Sequence, residues 1–326
     1  MGSLRIGVRA LTFGACFSIQ CIVIDREFER IKRKNKKVKK LKAIAADLKL
    51  SHTLFALPFA LSGLVLGGVQ LQSLTLLAFG KLLLCMFTAR SFAMGMNRWL
   101  DRTLDAQNPR TDSRAIPSRQ LKAGEMLSWS CLFGLGFVLA AFTFNRTTGL
   151  CSPVVLAILA GYSLMKRYTW GTHWYLGACL GLAPIAANIA LQGHVPSSVL
   201  LLGLAITMWT AGFDILYATQ DVAFDTRMKL YSVPVRFGLA RSWWISAGCF
   251  ACMILLLLQI GRSAPVGSLY YIGVFGVAGM LIYELGLVRD LAKNRASMKL
   301  DRAFFTVNGW VSVCFYICVQ LDSLLQ

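Results

Sequence analysis

The chain has 326 residues, of which 56% are hydrophobic and only 15% charged, and its mean hydropathy is +0.59. A soluble domain carries roughly 25% charged residues, so an ordinary water-soluble fold is excluded. The formal charge of +19 is spread over loops and one tail with no soluble binding module, which argues against nucleic acid and for membrane orientation, anionic lipid and an anionic substrate.

The N-terminal stretch leaves several readings open. Residues 10–24 are apolar but short for a membrane span, and a basic run follows with Lys32, Arg33, Lys34, Lys36, Lys37, Lys39 and Lys40. This is a disordered tail touching lipid, an interfacial anchor or extra helix, or a stretch ahead of the mature start. No small-residue cleavage site marks a signal peptide. We place a basic tail or anchor at 1–46 and a membrane domain at 47–326. Lys49 and His52 precede the first span, where each either anchors at the interface or reaches a substrate.

Nine segments are then long and apolar enough to cross a bilayer, at approximately 53–69, 73–96, 124–143, 149–165, 174–192, 197–213, 242–260, 268–288 and 303–320. A span needs about 20 residues as a helix, and backbone in lipid must bond to itself, so the predicted fold is an all-α polytopic membrane protein. Alternating short strands that would suggest a barrel are missing. The loops after the second, fourth, sixth and eighth spans are basic, whereas the opposite loops hold only Arg146 and Arg262. Basic loops stay in the cytoplasm, so the N-terminal side is predicted there and the C-terminus outside.

Cysteine adds no framework. Cys85, Cys131, Cys179, Cys249, Cys252, Cys314 and Cys318 fall inside apolar segments. Cys249 and Cys252 have CxxC spacing but no second pair or histidine to complete a zinc site. They read as buried small hydrophobes. Asn145-Arg146-Thr147 is a formal glycosylation sequon that matters only in a secretory pathway.

Polar residues gather at three span ends. The first group runs from Asn97 through Asp101 to Asp105, the second from Tyr162 through Lys166 and Arg167 to Thr169, and the third from Asp214 through Tyr217 and Asp221 to Asp225. Each ends an even-numbered span, so all three are expected on one membrane face. Asn97, Asp101 and Asp105 are four apart and share a helix face. Asp214, Asp221 and Asp225 are spaced i, i+7 and i+11 and do likewise. Carboxylates at a helix C-terminus meet the negative end of the dipole and repel each other, which calls for a neutralising cation. Hard oxygen donors suit Mg²⁺, with diphosphate oxygens completing its shell. Lys166, Arg167 and Arg114 could bind the outer phosphate oxygens. The plain alternative is that these aspartates pair with Arg98, Arg102 or Arg227 at an ordinary charged interface.

These residues resemble the UbiA family of membrane prenyltransferases. The family's N-D-x-x-D-x-x-x-D is met by Asn97, Asp101 and Asp105, and its D-x-x-Y-A-x-x-D-x-x-x-D by Asp214, Tyr217, Ala218, Asp221 and Asp225. Tyr162, Lys166 and Arg167 match Y-x-x-x-K-R, and Arg110, Thr111, Arg114 and Pro117 match R-T-x-x-R-x-x-P. The likeness covers about residues 47–325. It implies nine helices around a central cavity open laterally to lipid, in a bacterial inner membrane with the site facing the cytoplasm. It also implies Mg²⁺-dependent transfer of a polyprenyl group from its diphosphate to an aromatic acid in quinone biosynthesis. Mg²⁺ would sit on Asp101, Asp105, Asp221 and Asp225, and Asn97 would join them in the catalytic set. Arg90, Arg114, Tyr162, Lys166, Arg167, Asp214 and Tyr217 would contact substrate. One departure stands out: Arg98 occupies the position of the motif's first aspartate, directly after Asn97. It resembles a menaquinone-associated branch and turns the expected acceptor toward a dihydroxynaphthoate, with 4-hydroxybenzoate as the alternative.

Other polar residues are less specific. Arg90 lies seven before Asn97, two turns deeper on the same face, where arginine is costly and usually functional. His173 and His194 are expected at the interface. Asn188 and Asn308 either line a cavity or bond between helices. Outside enzymes, a secondary transporter would also place charges near a cavity, but closer to mid-membrane.

Overall fold

The computed structural model describes residues 56–289 and 306–326, with Lys40, Ala43, Ile44 and Asp47. The basic run before Lys40, Lys49, His52 and residues 290–305 lie outside the described residues. The architecture is helical, with no strand among the described residues. The long helices are α1 (Ala56–Leu66), α2 (Leu76–Leu100), α3 (Ala123–Phe142), α4 (Arg146–Met165), α5 (Thr172–Gln192), α6 (Ser197–Ala218), α7 (Leu239–Ser263), α8 (Ser268–Arg289) and α9 (Asn308–Leu325). Among the described residues, eight of these are long and apolar enough to cross a membrane; α1 is described over 11 residues. Large apolar side chains such as Leu76, Leu135, Leu255, Ile272 and Ile282 point outward, as expected of a surface solvated by lipid.

Local chemistry sets the helix ends. Thr75 opens α2 by accepting from the Ala78 N–H. Asn145 opens α4 through the Thr148 N–H, and its Nδ2 donates across to Ile189 O and Ala190 O of α5 at 2.8 and 3.0 Å. The sequon asparagine is thus a helix cap. Gly193, at φ +76°, closes α5 in the left-handed region.

Lipid gives helices no apolar reason to associate, so close backbone approach and interhelical hydrogen bonds carry the packing. Gly177 and Gly181 of α5 face α6 so closely that an added Cβ would lie 2.3 Å from Thr207 O and 2.4 Å from Gly203 O. Between α1 and α5, Asn188 Nδ2 donates to Gly63 O at 2.9 Å and, within its own helix, to Pro184 O at 2.9 Å, while Gln192 Nε2 donates to Gly67 O, just past α1, at 3.1 Å. On the other side, Trp209 Nε1 of α6 donates to Asn308 Oδ1 at 2.9 Å, and Asn308 Nδ2 donates to Glu284 Oε1 of α8 at 3.1 Å. Both intramembrane asparagines therefore bond between helices. The largest apolar core joins α6, α7, α8 and α9, with Phe59 of α1 against Trp209 and Phe315.

The ends of α2, α4, α6 and α8 share one face of the bundle with the starts of α3, α5 and α7. Residues before α1 pack on that face. Ile44 is buried against Ala115, Leu121 and Met126, Lys40 pairs with Glu125, and Asp47 Oδ2 accepts the Ala115 N–H at 3.0 Å.

Candidate active site

The first acidic group is built by a helix that changes direction without losing its register. α2 stops at Leu100, Asp101 sits at φ −93° and ψ 7°, and a short helix follows over Arg102–Asp105. The backbone bonds Asp101 N–H to Asn97 O (2.9 Å) and Asp105 N–H to Asp101 O (2.7 Å) bridge the break. Asn97, Asp101 and Asp105 therefore keep their common face. Asn97 Nδ2 donates to Asp101 Oδ2 at 2.8 Å and to Ser163 Oγ of α4 at 3.2 Å.

The second group is less regular than its spacing suggested. Asp214 is within α6, Asp221 ends a 3-10 turn at Thr219–Asp221, and Asp225 lies on the short helix Val222–Arg227. Asp221 and Asp225 are buried. The loop after Asp105 then folds back over both groups. Thr111 Oγ1 donates to Asp105 O at 3.1 Å, and Arg227 Nη2 to Gln107 O at 3.2 Å.

Four ion pairs join the groups. Arg167 Nη2 donates to Asp101 Oδ1 at 3.0 Å, Arg114 Nη1 to Asp105 Oδ1 at 2.6 Å, and Lys166 Nζ to Asp225 Oδ2 at 3.2 Å. Arg110 grips Asp221 with both tines, Nε to Oδ1 at 3.0 Å and Nη2 to Oδ2 at 2.6 Å, while lying 5.6 Å over the Tyr217 ring. The cations that neutralise the stacked carboxylates here are the chain's own arginines and lysine. Their identities differ from the plain alternative above: Arg98 bonds Asn97 Oδ1 and Asp47 O, and Arg102 bonds Trp99 O.

Among the described residues no three acidic, histidine or cysteine side chains form a closed metal cluster. Mg²⁺ does not need one, because it takes one or two carboxylates with phosphate oxygens and waters. Asp105 Oδ2 is buried without a hydrogen-bond partner, a hard oxygen left available beside Asp101. Burial raises the Asp101 carboxyl above its ordinary range, against the opposing pull of its Arg167 hydrogen bond, as expected of a carboxylate lacking full compensation. The residues present fit the ion.

The deeper residues divide. Arg90 has a buried Nε without a partner, and Tyr162 is within electrostatic reach of both Arg90 and Arg98. Asp214 does not stand free beside the other acids. Its Oδ2 is 2.6 Å from His173 Nδ1. His173, at the start of α5, is fully buried in the protein, where Asp214 and the Val233 N–H satisfy both ring nitrogens. No sequence signal separated it from an interfacial histidine. Arg110 did carry a signal, its four-residue spacing from Arg114, although only Arg114 was assigned to substrate.

The fold and site define a polytopic membrane protein with paired aspartate motifs and a basic turn meeting at one face. A family model for the UbiA prenyltransferase family matches residues 56–309, and the chain belongs to that family; it is a membrane prenyltransferase. It is 30% identical over 292 residues to a 4-hydroxybenzoate octaprenyltransferase of Pseudomonas fluorescens Pf-5, covering 87% of this chain and 91% of the relative. It is 32% identical over 286 residues to the octaprenyltransferase of the same description from Sodalis glossinidius, covering 87% and 92%. Among solved structures, a UbiA homolog from Aeropyrum pernix K1 matches with TM-score 0.74 at 24% identity, over 84% of this chain and 98% of that one. A homolog from Archaeoglobus fulgidus bound to DMAPP and Mg²⁺ matches with TM-score 0.64 at 19% identity, over 87% and 99%. At these identities the two structures speak to the fold.

Proposed function

We propose that this prenyltransferase moves a polyprenyl group from its diphosphate to a hydroxylated aromatic carboxylate of quinone biosynthesis, with Mg²⁺ between the aspartate motifs. The observation that carries this reading is the four-pair cluster, which assembles both halves of a metal–diphosphate site in one place. Asp101, Asp105, Asp221 and Asp225 supply anionic oxygens, and Asn97 orients Asp101. Lys166, Arg167, Arg114 and Arg110 supply phosphate-directed donors. Asp101, Asp105, Asp221 and Asp225 would hold the metal and Lys166, Arg167, Arg114 and Arg110 the diphosphate, so neither set would be left without a partner. Mg²⁺ supplies Lewis-acid stabilisation of the charge that grows on the leaving diphosphate. The basic side chains share that task. Departure of the diphosphate leaves an allylic cation; the electron-rich acceptor ring captures it at the carbon beside its hydroxyl, and that carbon then gives up its proton to the released diphosphate, restoring the aromatic ring. Apolar helix walls exclude water that would otherwise trap the cation.

Arg90, with its unpartnered buried Nε, suits an acceptor carboxylate, and Tyr162, Tyr217 and Asp214 would contact substrate as well. The names of the bacterial relatives favour 4-hydroxybenzoate. The Asn97-Arg98 departure favours a dihydroxynaphthoate as second reading, although Arg98 is buried and engaged with Asn97 and Asp47. The basic loops at the site's end of the bundle support a bacterial inner membrane with the site facing the cytoplasm. Residues 47–326 form the membrane domain, and 1–46 a tail or anchor that reaches it through Lys40 and Ile44. Incubating purified protein with radiolabelled polyprenyl diphosphate, Mg²⁺ and each acid tests the reading. Prenylation of neither acid would remove it, and transfer to decarboxylated analogues at equal rate would remove the role of Arg90.

A further inference from the structure

Beside the four ion pairs, one further node ties three segments of the site together. His173 stands in the first turn of α5 with no solvent exposure. Its Nδ1 is 2.6 Å from Asp214 Oδ2, and its Nε2 is 3.2 Å from the Val233 backbone nitrogen. The second contact determines the first. A backbone N–H can only donate, so Nε2 is the bare acceptor and the neutral ring carries its proton on Nδ1. That proton is donated to the Asp214 carboxylate.

Val233 belongs to the segment that follows the second acidic motif, and this segment is fixed independently of the ring. The Leu230 N–H donates to Asp225 O at 2.8 Å, and the Tyr231 N–H donates to Lys166 O at 2.7 Å. Ser232 caps the short helix Val233–Phe237 by accepting the Val235 N–H. The Val233 N–H is therefore a rigid donor, and it sets both the tautomer and the orientation of the imidazole. The Asp214 side chain keeps 20% of its exposure while its partner ring keeps none. Its terminal torsion is broad when unrestrained; one oxygen held by a fixed donor sets the direction of the other.

We propose that His173 is a positioning residue for prenyl transfer, whose Nδ1–H, fixed by Val233, orients the Asp214 carboxylate toward the substrate. This rests on the reading that Asp214 contacts substrate. The ring transfers no proton and needs no charge.

Two substitutions separate its two hydrogen bonds. His173→Asn places an amide donor near the Nδ1 position and nothing at Nε2. His173→Gln places an amide near the Nε2 position and nothing at Nδ1. Full-length protein in detergent is assayed for prenyl transfer, with thermal unfolding measured alongside. His173→Asn keeps a donor to Asp214 but loses the Val233 contact that fixes it, so it is expected to lose turnover, though less than His173→Gln. His173→Gln is expected to lose about ten- to a hundredfold, the worth of one hydrogen bond to a charged group. In a double-mutant cycle, His173→Gln with Asp214→Asn is expected to be no slower than Asp214→Asn alone, because the ring acts only through that carboxylate. Independent, multiplying losses overturn the proposal, as does a His173→Asn variant that folds yet falls as far as His173→Gln. If the Asn variant does not fold, the cycle still decides. An Asp214→Asn variant with wild-type rates overturns the proposal by removing its premise. Multiplying losses on an impaired Asp214→Asn background overturn it while leaving that premise standing.

Discussion

Asp105→Asn isolates the charge that the site contributes. Asp105 is 6% exposed; Oδ1 accepts from Arg114 at 2.6 Å, and Oδ2 is buried without a partner. The amide keeps the shape and an acceptor for Arg114 but removes the anionic oxygen assigned to the metal. Loss of one preorganised group acting on charge that develops in the transition state costs about 3–4 kcal/mol, or roughly a hundred- to a thousandfold in turnover. The folded state loses less. The amide nitrogen left without an acceptor costs about 1–3 kcal/mol, against relief of repulsion with Asp101. Initial rates across a Mg²⁺ titration, with thermal unfolding measured in parallel, separate the two effects. A folded variant with near-wild-type rates at limiting Mg²⁺ would refute the assignment of Asp105 to the metal.

The other predictions follow the same geometry. Arg110→Lys should raise KM for the prenyl diphosphate about tenfold, because a point charge replaces a bidentate fork; a change confined to the acceptor KM would reassign Arg110. Gly181→Ala should destabilise the protein by about 1–3 kcal/mol, since the new methyl meets the Gly203 carbonyl at 2.4 Å; an unchanged unfolding midpoint would contradict this contact. Burial raises Asp101, so it takes up its proton at a higher pH than an ordinary aspartate. Acidification should therefore weaken Mg²⁺ activation before an ordinary aspartate would take up its proton, and a response that begins only where an ordinary aspartate titrates would count against Asp101 as a ligand. Reporter fusions should place the loops at 98–122 and 214–241 on one side of the membrane; opposite sides would dissolve the shared site.

Much of the architecture was legible in the sequence because membrane insertion is written in long-range composition. Span length located the nine long helices among the described residues to within about five residues, but not the short helices at the site. The site was legible where spacing carries geometry: Asn97, Asp101 and Asp105 keep one face even though the helix breaks at Asp101. Spacing failed at Asp214, whose environment depends on α5 and on a loop 60 residues beyond His173. The same limit explains His173 itself. An imidazole at a span end reads as interfacial, and only tertiary contacts reveal that both its nitrogens are engaged. Asn188 and Asn308 were undecided for the same reason, since a partner on another helix leaves no local trace. The stacked carboxylates point to a metal when read in sequence, whereas the folded chain pairs Asp101, Asp105, Asp221 and Asp225 with its own Arg167, Arg114, Arg110 and Lys166, partners that lie in other segments.

The central claim is Mg²⁺-dependent prenyl transfer to an aromatic acid at the joined aspartate motifs. It is tested most directly by supplying purified protein in lipid nanodiscs with radiolabelled polyprenyl diphosphate and 4-hydroxybenzoate, with and without EDTA. The account predicts a ring-prenylated acid that forms with Mg²⁺, disappears with EDTA and returns when Mg²⁺ is restored. Product formation that is indifferent to chelation, or that survives Asp105→Asn combined with Asp225→Asn, would contradict it.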